Sequence, residues 1–158
     1  GIGSALIQFV NQFDVHITAT CNTKNIDLIQ SLGADKIYDY SVEDFTKGKE
    51  KYDFIFDAVG KSTFGKCKPI LNKGGVYISS ELGPYAQNIF FALFSKKVIF
   101  PVPYKTEKTL PYIKKLLETG KFKPVIDREY ALEDISKAYE YVMTGEKTGN
   151  VIINVQDS

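Results

Sequence analysis

The sequence contains few of the side chains that build metal sites or disulfide frameworks. Its 158 residues include two cysteines, Cys21 and Cys67, and one histidine, His16. The cysteines form no Cys-x-x-Cys pair, so neither a disulfide framework nor a zinc knuckle is indicated. One histidine outside any Cys/His cluster gives no basis for a transition-metal site in this chain. We therefore predict no bound metal and a reducing, cytoplasmic compartment.

The sequence also lacks an excess of one charge and a long apolar run. Lysine and arginine total 20 against 19 acidic residues, so the net charge is +1. This balance argues against nucleic acid or an anionic membrane as the main partner. The longest apolar run, Ile89–Phe94, is far shorter than the ~20 residues of a membrane-spanning helix. The composition, 44% hydrophobic and 25% charged, is typical of a globular protein.

Helix and strand patterns alternate along the chain, which predicts an α/β fold with a mostly parallel sheet. The clearest helix follows Gly3, where Leu6, Phe9, Val10 and Phe13 recur at helical spacing. A seam is expected near residues 104–108, where the alternation changes. The predicted helices span residues 4–13, 23–32, 62–71 with a break at Pro69, 85–95, 106–119 and 133–144; the predicted strands span residues 14–20, 36–40, 52–59, 76–80, 98–104 and 151–155.

The chain opens on Gly1-Ile2-Gly3, directly before the first predicted helix. Glycines at this place let a backbone approach a pyrophosphate, which then lies at the helix N-terminus. The same three residues also suit a tight turn into a helix, and their spacing does not separate the two interpretations. A chain that begins on such a turn looks cut, so we interpret the sequence as a fragment of a longer protein.

The end of the strand that follows this helix bears on the choice of nucleotide. NAD-preferring folds place an acidic residue about 20 residues beyond the glycines, where it binds the ribose 2′-hydroxyl. Here the segment Thr18–Asn22 contains no acid, and Thr23 and Lys24 follow it. A hydroxyl and an ammonium suit a 2′-phosphate, which favours NADP(H). The alternative is a helix cap at Thr23 and a solvated lysine at position 24.

Further candidate residues follow later strands, at the sheet edge where open α/β folds bind ligands. Residues 58–60 end a buried strand, and Ser80 and Leu82 follow the next one. Asp57 could serve as a catalytic acid, but a structural role in capping backbone amides is favoured. Tyr40, at the end of the strand 36–40, could contact the adenosine end of a nucleotide.

The sequence identifies no catalytic residue. His16 lies within a predicted strand, where a packed or edge histidine is favoured over a catalyst. Cys21 could be a reactive thiol, although a small apolar filler is the favoured interpretation. With one mid-strand histidine, no Ser-His-Asp or Cys-His pairing can be proposed.

Taken together, these segments resemble the cofactor-binding and C-terminal part of the medium-chain dehydrogenase/reductases, in their zinc-independent, quinone-reductase-like branch. The likeness extends over nearly the whole chain, in the order expected for that family. The segments that carry it are GIGSALIQ (1–8), TCNTKN (20–25), SLGAD (31–35), DY (39–40), DFIFDAVG (53–60), LNKGG (71–75), GKFKPVID (120–127) and TGNV (148–151).

The resemblance implies NADPH binding and hydride transfer to a quinone, enone or similar small molecule. It implies a Rossmann-like doubly wound parallel sheet without its first strand over residues 1–105. A C-terminal helix-helix-strand segment, 106–158, would pack on an absent GroES-like catalytic domain, so the fragment alone would be inactive. A homo-oligomer, a dimer in particular, is also implied. The cofactor-binding residues would be Gly1, Ile2, Gly3, Cys21, Thr23, Lys24, Tyr40, Ala58, Val59, Gly60, Ser80, Leu82 and Asn150.

The absent strand would be central in the usual strand order. Its neighbours would expose unpaired backbone groups, which is unfavourable in a buried sheet. We therefore predict that this gap is closed or filled, by another chain for example.

Three other functions remain open. A zinc-dependent alcohol dehydrogenase fragment and a non-catalytic NADPH-binding module share this fold. An S-adenosylmethionine methyltransferase shares a glycine-rich turn. The absence of an acid at the end of the strand 14–20, which would be the second strand of the complete sheet, argues against this function.

Overall fold

The computed structural model describes residues 1–80, 87–101 and 106–155. They belong to two compact units, Gly1–Ser41 with Glu107–Ser158, and Val42–Thr106. The helices are α1 (Ile2–Val10), α2 (Ile26–Ser31), α3 (Phe64–Cys67), α4 (Gln87–Phe94), α5 (Thr106–Glu118) and α6 (Ile135–Met143). The strands are β1 (Thr18–Cys21), β2 (Lys36–Asp39), β3 (Tyr52–Asp57), β4 (Leu71–Ser79), β5 (Val98–Ile99), β6 (Ile126–Ala131) and β7 (Asn150–Asn154).

In the first unit, α1 packs over the parallel pair β1–β2. The helix forms where the apolar periodicity predicts it, and the Ser4 hydroxyl donates to the Gly1 carbonyl at 2.8 Å in its first turn. Ile7 on α1 forms a buried cluster with Ile17 and Ala34. Removing such side chains from water is the main source of stability for a unit of this kind.

The strand β1 is shorter than the sequence predicts. Residues 14–17 precede it, and the Ile17 carbonyl instead accepts hydrogen bonds from the Asp35 and Lys36 amides. Within the pair, Cys21 lies opposite Asp39. The carboxyl ends of both strands therefore meet at one edge, where the candidate site lies.

The C-terminal segment has one strand more than the predicted helix-helix-strand order. The strand β6 runs parallel to β7, and α6 lies between them in the chain. The sequence of β6 is IDREYA, in which three charged residues follow Ile126 in succession. The strand was missed because it contains neither a continuous apolar run nor an alternation of apolar and polar residues.

The second unit contains the parallel sheet β3–β4–β5. The strand β4 begins at Leu71, five residues before its predicted start, and includes Gly74 and Gly75. A Cβ at Gly75 would lie 2.8 Å from the Tyr52 carbonyl oxygen, and the register shifts between Tyr52 and Phe54. Glycine thus permits a close backbone approach inside the strand, at a place that the predicted strand 76–80 does not include.

The core of the second unit lies beside α3. Phe64, Cys67 and Tyr77 are buried together, and the rings of Phe64 and Phe91 pack with their centroids 5.4 Å apart. The helix α3 ends at Cys67 and continues as a 3₁₀ turn through Pro69, because proline cannot continue an α-helix. The predicted break is confirmed.

The expected closing or filling of the gap left by the absent strand, by another chain for example, stays a prediction. The described strands form three separate sheets, β1–β2, β3–β4–β5 and β6–β7. The division into domains at residue 105 stays a prediction. Over residues 1–80, 87–101 and 106–155, no helix is long and apolar enough to cross a bilayer.

Candidate functional site

A shallow, open cleft of about 220 Å³ lies within the first unit, at the carboxyl ends of β1 and β2. One wall is the first turn of α1, with Gly1 and Ser4. The end of β1, residues 20–22, and Tyr40 after β2 form the floor. Val125 and residues 147–149 form a second wall. The carboxyl edge of a parallel sheet is where such folds bind ligands, so this cleft is the candidate nucleotide site.

Three of the predicted cofactor residues, Gly1, Cys21 and Tyr40, line the cleft. Ile2 and Gly3 lie in the first turn of α1, and a Cβ at Gly3 would meet nothing within 4 Å. The backbone of this turn is therefore open to a ligand. Thr23, Lys24 and Asn150 lie next to the lining residues in the chain without being part of the lining.

Thr23 makes a contact that the sequence analysis missed. Its hydroxyl donates to Asp39 Oδ2 at 2.5 Å, and the Ser41 amide donates to Asp39 Oδ1 at 2.8 Å. These hydrogen bonds, the Thr23 bond above all, lower the pKa of the Asp39 carboxyl. An ionised carboxylate therefore lies beside the segment that has no acid of its own, because the parallel register brings the end of β2 next to the end of β1.

Two lysines approach the cleft from different parts of the chain. Lys24 Nζ donates to the Glu146 carbonyl at 3.2 Å, and its side chain is exposed. Lys147 lines the cleft and donates to the Gly149 carbonyl at 2.8 Å. The sequence analysis missed Lys147 because the residue lies more than a hundred positions away from the glycine turn, in a loop without a recognisable motif.

Asn22 gives the cleft a buried acceptor. Its Oδ1 atom is inaccessible to solvent and has no hydrogen-bond partner among the described residues. Buried acceptors are normally paired, so a ligand hydroxyl would satisfy this atom if the Asn22 side chain turned towards the cleft. Burial, together with the Asp39 charge, raises the pKa of the neighbouring Cys21 thiol. A neutral buried thiol favours the filler interpretation of Cys21 over a reactive one.

In the second unit, Asp57 holds the loop that follows β3. Its Oδ1 atom accepts from the Val59 amide at 3.2 Å and from the Gly60 amide at 2.8 Å. Its Oδ2 atom accepts from the buried Tyr77 hydroxyl at 2.8 Å. Burial, and secondly this hydrogen bond, raise the pKa of Tyr77. The predicted structural role of Asp57 is confirmed.

The other predicted residues of this unit share the carboxyl edge with Asp57. Asp57 lies opposite Ser79, so residues 58–60 and Ser80 follow adjacent strand ends. The Ser80 amide donates to the Asp57 carbonyl at 3.2 Å. Its Oγ atom is buried without a partner in the described part of the chain. Leu82 lies outside the described residues.

His16 is neither packed nor part of a strand. It precedes β1, its side chain is exposed, and its Nδ1 atom lies 3.5 Å from Asp35 Oδ2. The expectation that His16 lies within a strand, as a packed or edge histidine, is therefore wrong. The reason is that β1 begins only at Thr18. Its position on the surface offers no reason to assign it a role in the candidate site.

The loop that forms one cleft wall is anchored by Asp127. Asp127 Oδ2 accepts from the Thr148 amide at 2.5 Å and from the Tyr141 hydroxyl at 3.0 Å. The Arg128 guanidinium lies 3.7 Å from the centroid of the Tyr141 ring. The Thr148 hydrogen bond is the main cause of a lowered Asp127 pKa.

The lowered pKa of Asp127 predicts acid sensitivity. A depressed carboxyl pKa stabilises the fold above the unfolded value, about 3.9 for aspartate, and the contribution is lost as the pH falls through the lower folded value. We expect the free energy of unfolding to decline between pH 5 and 2, and to decline less steeply in Asp127→Asn. Urea titrations at several pH values measure this, with the exposed Asp14→Asn as control. Equal slopes for the wild type and Asp127→Asn would contradict the prediction.

Sequence comparison finds relatives of this chain among quinone and alkenal reductases. It is 32% identical over 162 residues to a chloroplastic quinone-oxidoreductase of Triphysaria versicolor, covering 97% of this chain and 49% of that protein. It is 29% identical over 157 residues to an NADPH-dependent alkenal/one oxidoreductase of Arabidopsis thaliana, covering 97% of this chain and 38% of that protein. The chain thus spans about half the length, or less, of these relatives.

Comparison with solved structures confirms the predicted Rossmann-like α/β fold. A quinone oxidoreductase from Coxiella burnetii superposes with a TM-score of 0.86 at 24% identity, over 99% of this chain and 50% of that one. An NAD-dependent alcohol dehydrogenase superposes with a TM-score of 0.81 at 22% identity, over 99% of this chain and 48% of that one. The family model described as zinc-binding dehydrogenase matches residues 32–153. The chain therefore belongs to the zinc-binding dehydrogenase family, as the resemblance to medium-chain dehydrogenase/reductases implies.

Proposed function

We propose that this chain is the NADP(H)-binding portion of an oxidoreductase that reduces a quinone, an enone or a similar activated alkene or carbonyl. The observation that carries the proposal is the cleft at the carboxyl ends of β1 and β2, which has an open glycine turn on one side and an unpaired buried acceptor in its floor. The quinone and alkenal reductases among the relatives support the reaction class.

The first unit would hold the adenosine and phosphate end of the cofactor. Residues 1–3, Gly1, Ile2 and Gly3, would place backbone amides against the pyrophosphate. Cys21 and Tyr40 would contact the adenosine side. Lys24 and Thr23 would bind the 2′-phosphate. The Lys24 ammonium is exposed and, among the described residues, donates to the Glu146 carbonyl, so exchange of that partner for a phosphate is favourable.

The carboxyl edge of the second unit would contribute to the other half of the cofactor. The backbone of residues 58–60 (Ala58, Val59 and Gly60) is fixed by Asp57, and Ser80 presents a buried hydroxyl oxygen without a partner in the described chain. Leu82 and Asn150 complete the proposed set. The Asn150 side chain donates to the Val125 carbonyl at 3.1 Å, so its contact with a cofactor requires that this bond be exchanged.

The reaction would draw its chemistry from the nicotinamide, which supplies a hydride when the reduced cofactor is bound. The residues of this chain would bind the nucleotide, orient it and shield it from water. No residue here is assigned to the reacting atoms, and substrate recognition would belong in large part to the remainder of the protein.

One observation favours NAD(H) in place of NADP(H) as the nucleotide. The ionised Asp39 carboxylate accepts the Thr23 hydroxyl, and Asn22 Oδ1 is a further acceptor without a partner among the described residues. Acceptors suit the 2′-hydroxyl of NAD(H), whereas a 2′-phosphate would be repelled by Asp39. The balance between Lys24 and Asp39 would therefore set the preference for NADPH over NADH.

Two other functions, a zinc-dependent alcohol dehydrogenase and a non-catalytic NADPH-binding module, can be distinguished from the proposed one. Metal analysis of the complete protein would distinguish a zinc-dependent alcohol dehydrogenase; the described residues of this chain contain no group of three His, Cys, Asp or Glu side chains that could hold a metal. A non-catalytic NADPH-binding module would bind the nucleotide in the complete protein without consuming it in the presence of quinones or enones. Loss of NADPH absorbance with such acceptors would exclude that function.

Replacement of Lys24 tests the proposed 2′-phosphate site. We expect Lys24→Ala to weaken NADPH binding about tenfold, because one charge-assisted hydrogen bond to phosphate contributes about 1.5 kcal/mol. NADH binding should change less than twofold, since NADH has no 2′-phosphate. Lys115→Ala removes an exposed lysine on α5 of the same unit and is the control. Calorimetric titration of each variant with both nucleotides gives the comparison.

Each outcome of this titration bears on a different part of the proposal. NADPH binding that is equal in Lys24→Ala and the wild type would overturn the assignment of Lys24. Stronger binding of NADH than of NADPH by the wild-type chain would favour the acceptor set of Asn22 and Asp39. Failure to bind either nucleotide would overturn the function proposed for this chain.

Oligomeric state and compartment complete the proposal. We expect a homodimer of the complete protein, measurable by light scattering coupled to size-exclusion chromatography. We also propose a cytoplasmic location, although relatives are named chloroplastic and mitochondrial proteins. Microscopy of the tagged complete protein tests the location, and an organelle pattern would contradict it.

A further inference from the structure

Gln8 joins the first cleft wall to the segment that precedes the second wall, without lining the cleft itself. The residue lies on the inner face of α1 and is 8% exposed. Its Nε2 atom donates to the Ser4 carbonyl at 3.2 Å and to the Lys123 carbonyl at 3.0 Å. Its Oε1 atom accepts from the Lys123 amide at 2.8 Å. One carboxamide therefore binds the first turn of α1 and both backbone groups of a residue 115 positions away.

Lys123, which Gln8 binds, is two residues before a residue of the second cleft wall. Val125, two residues after Lys123, lines the cleft. Its carbonyl accepts from the Asn150 amide at 2.7 Å and from the Asn150 side chain at 3.1 Å. A Cβ at Gly149 would lie 2.4 Å from the same oxygen. These contacts are closely packed. A shift of Lys123 would therefore also displace Val125 and the residues that contact it, Gly149 and Asn150.

Other contacts between α1 and this segment lie farther from the wall. Gln12 Nε2 donates to the Lys121 carbonyl at 3.4 Å, in an exposed position. The rings of Phe9 and Phe122 stack with centroids 4.9 Å apart and planes 9° from parallel. These contacts hold the segment on the helix, whereas Gln8 also binds Ser4, a residue of the cleft itself.

We propose that Gln8 is a positioning residue that sets the spacing between the two cleft walls and thereby the affinity for the nucleotide. The inference rests on the proposed function, since it concerns how the same cleft is held. Gln8 is not among the residues that line the cleft, so its effect on binding passes through Ser4 and Lys123. A side chain of equal length without hydrogen-bonding groups would keep the packing and lose the spacing.

The test compares Gln8→Met with Gln12→Met in the full 158-residue chain. We expect Gln8→Met to raise the NADPH dissociation constant about tenfold, because misplaced binding groups lose much of their interaction. Gln12→Met should change it less than twofold. Amide hydrogen exchange supplies a readout that a general loss of stability would not give: the Asn150 amide should exchange faster in Gln8→Met, while the amides of the β1–β2 pair keep their rates.

Each result decides the matter. An unchanged dissociation constant, or equally faster exchange at all amides, would overturn the proposal. If the wild-type chain binds no NADPH, the proposed function fails, and the selective exchange at Asn150 still tests the positioning role. If Gln8→Met does not fold, Gln8→Glu replaces it. Its carboxylate can accept from the Lys123 amide but cannot donate to the Lys123 carbonyl, so weakened binding is expected and wild-type binding would overturn the proposal.

Discussion

The substitution Gly149→Ala is expected to destabilise the chain by about 3 kcal/mol, which is a large effect for the addition of one methyl group. Gly149 is buried and has a φ angle of +105°. That conformation strains any L-residue by about 1–3 kcal/mol. A Cβ would also lie 2.4 Å from the Val125 carbonyl oxygen, so the backbone at Val125, the residue before β6, and the loop before β7 would have to separate.

Gly120→Ala is the matched control for this substitution. Gly120 has a φ angle of +68°, and a Cβ there would meet nothing within 4 Å. We expect a loss of about 1 kcal/mol from the left-handed conformation alone. Urea unfolding of both variants measures the difference. Equal losses would show that Gly149 does not lie as close to Val125 as the structure places it.

The substitution Asp57→Ala is expected to destabilise the second unit by about 3 kcal/mol, because three donors lose their acceptor and each buried unpaired group costs about 1–3 kcal/mol. The donors are the amides of Val59 and Gly60 and the hydroxyl of Tyr77, which is fully buried. The loop of residues 58–60 should also become more mobile, which hydrogen exchange at these amides would show.

Asp53→Ala tests whether this effect belongs to the position of Asp57. Asp53 lies on the same strand, is exposed, and accepts one hydrogen bond from the Asn72 side chain at 2.8 Å. We expect a loss below about 0.5 kcal/mol, as is usual for an exposed site. If Asp53→Ala and Asp57→Ala destabilised the chain equally, the capping role of Asp57 would be contradicted.

The features that the sequence predicted correctly are those that depend on neighbouring residues. The helix α1 follows from apolar periodicity, and the end of α3 follows from Pro69. The cap formed by Asp57 was also foreseeable, because an aspartate at the start of a loop commonly binds the next amides. In each case the deciding contacts lie within a few residues in the chain.

The features that the sequence analysis missed depend on distant residues. The Thr23–Asp39 contact requires the parallel register of β1 and β2, which no local pattern specifies. Lys147 reaches the cleft because Asp127 and Val125 hold the loop before β7. The strand β6 pairs with β7, which lies beyond α6 in the chain, and its short sequence with three consecutive charged residues does not distinguish it from a loop.

A titration of the ¹⁵N-labelled wild-type chain with NADPH, followed by amide chemical shifts, tests whether NADPH binds at the carboxyl ends of these strands. We expect saturable shifts concentrated at residues 1–3, 20–24 and 40 in the first unit and at residues 58–60 and 80 in the second. Phosphate added alone should not reproduce the full pattern. Shifts confined to other parts of the chain, or none at millimolar NADPH, would contradict the assignment of these strand ends as the nucleotide site.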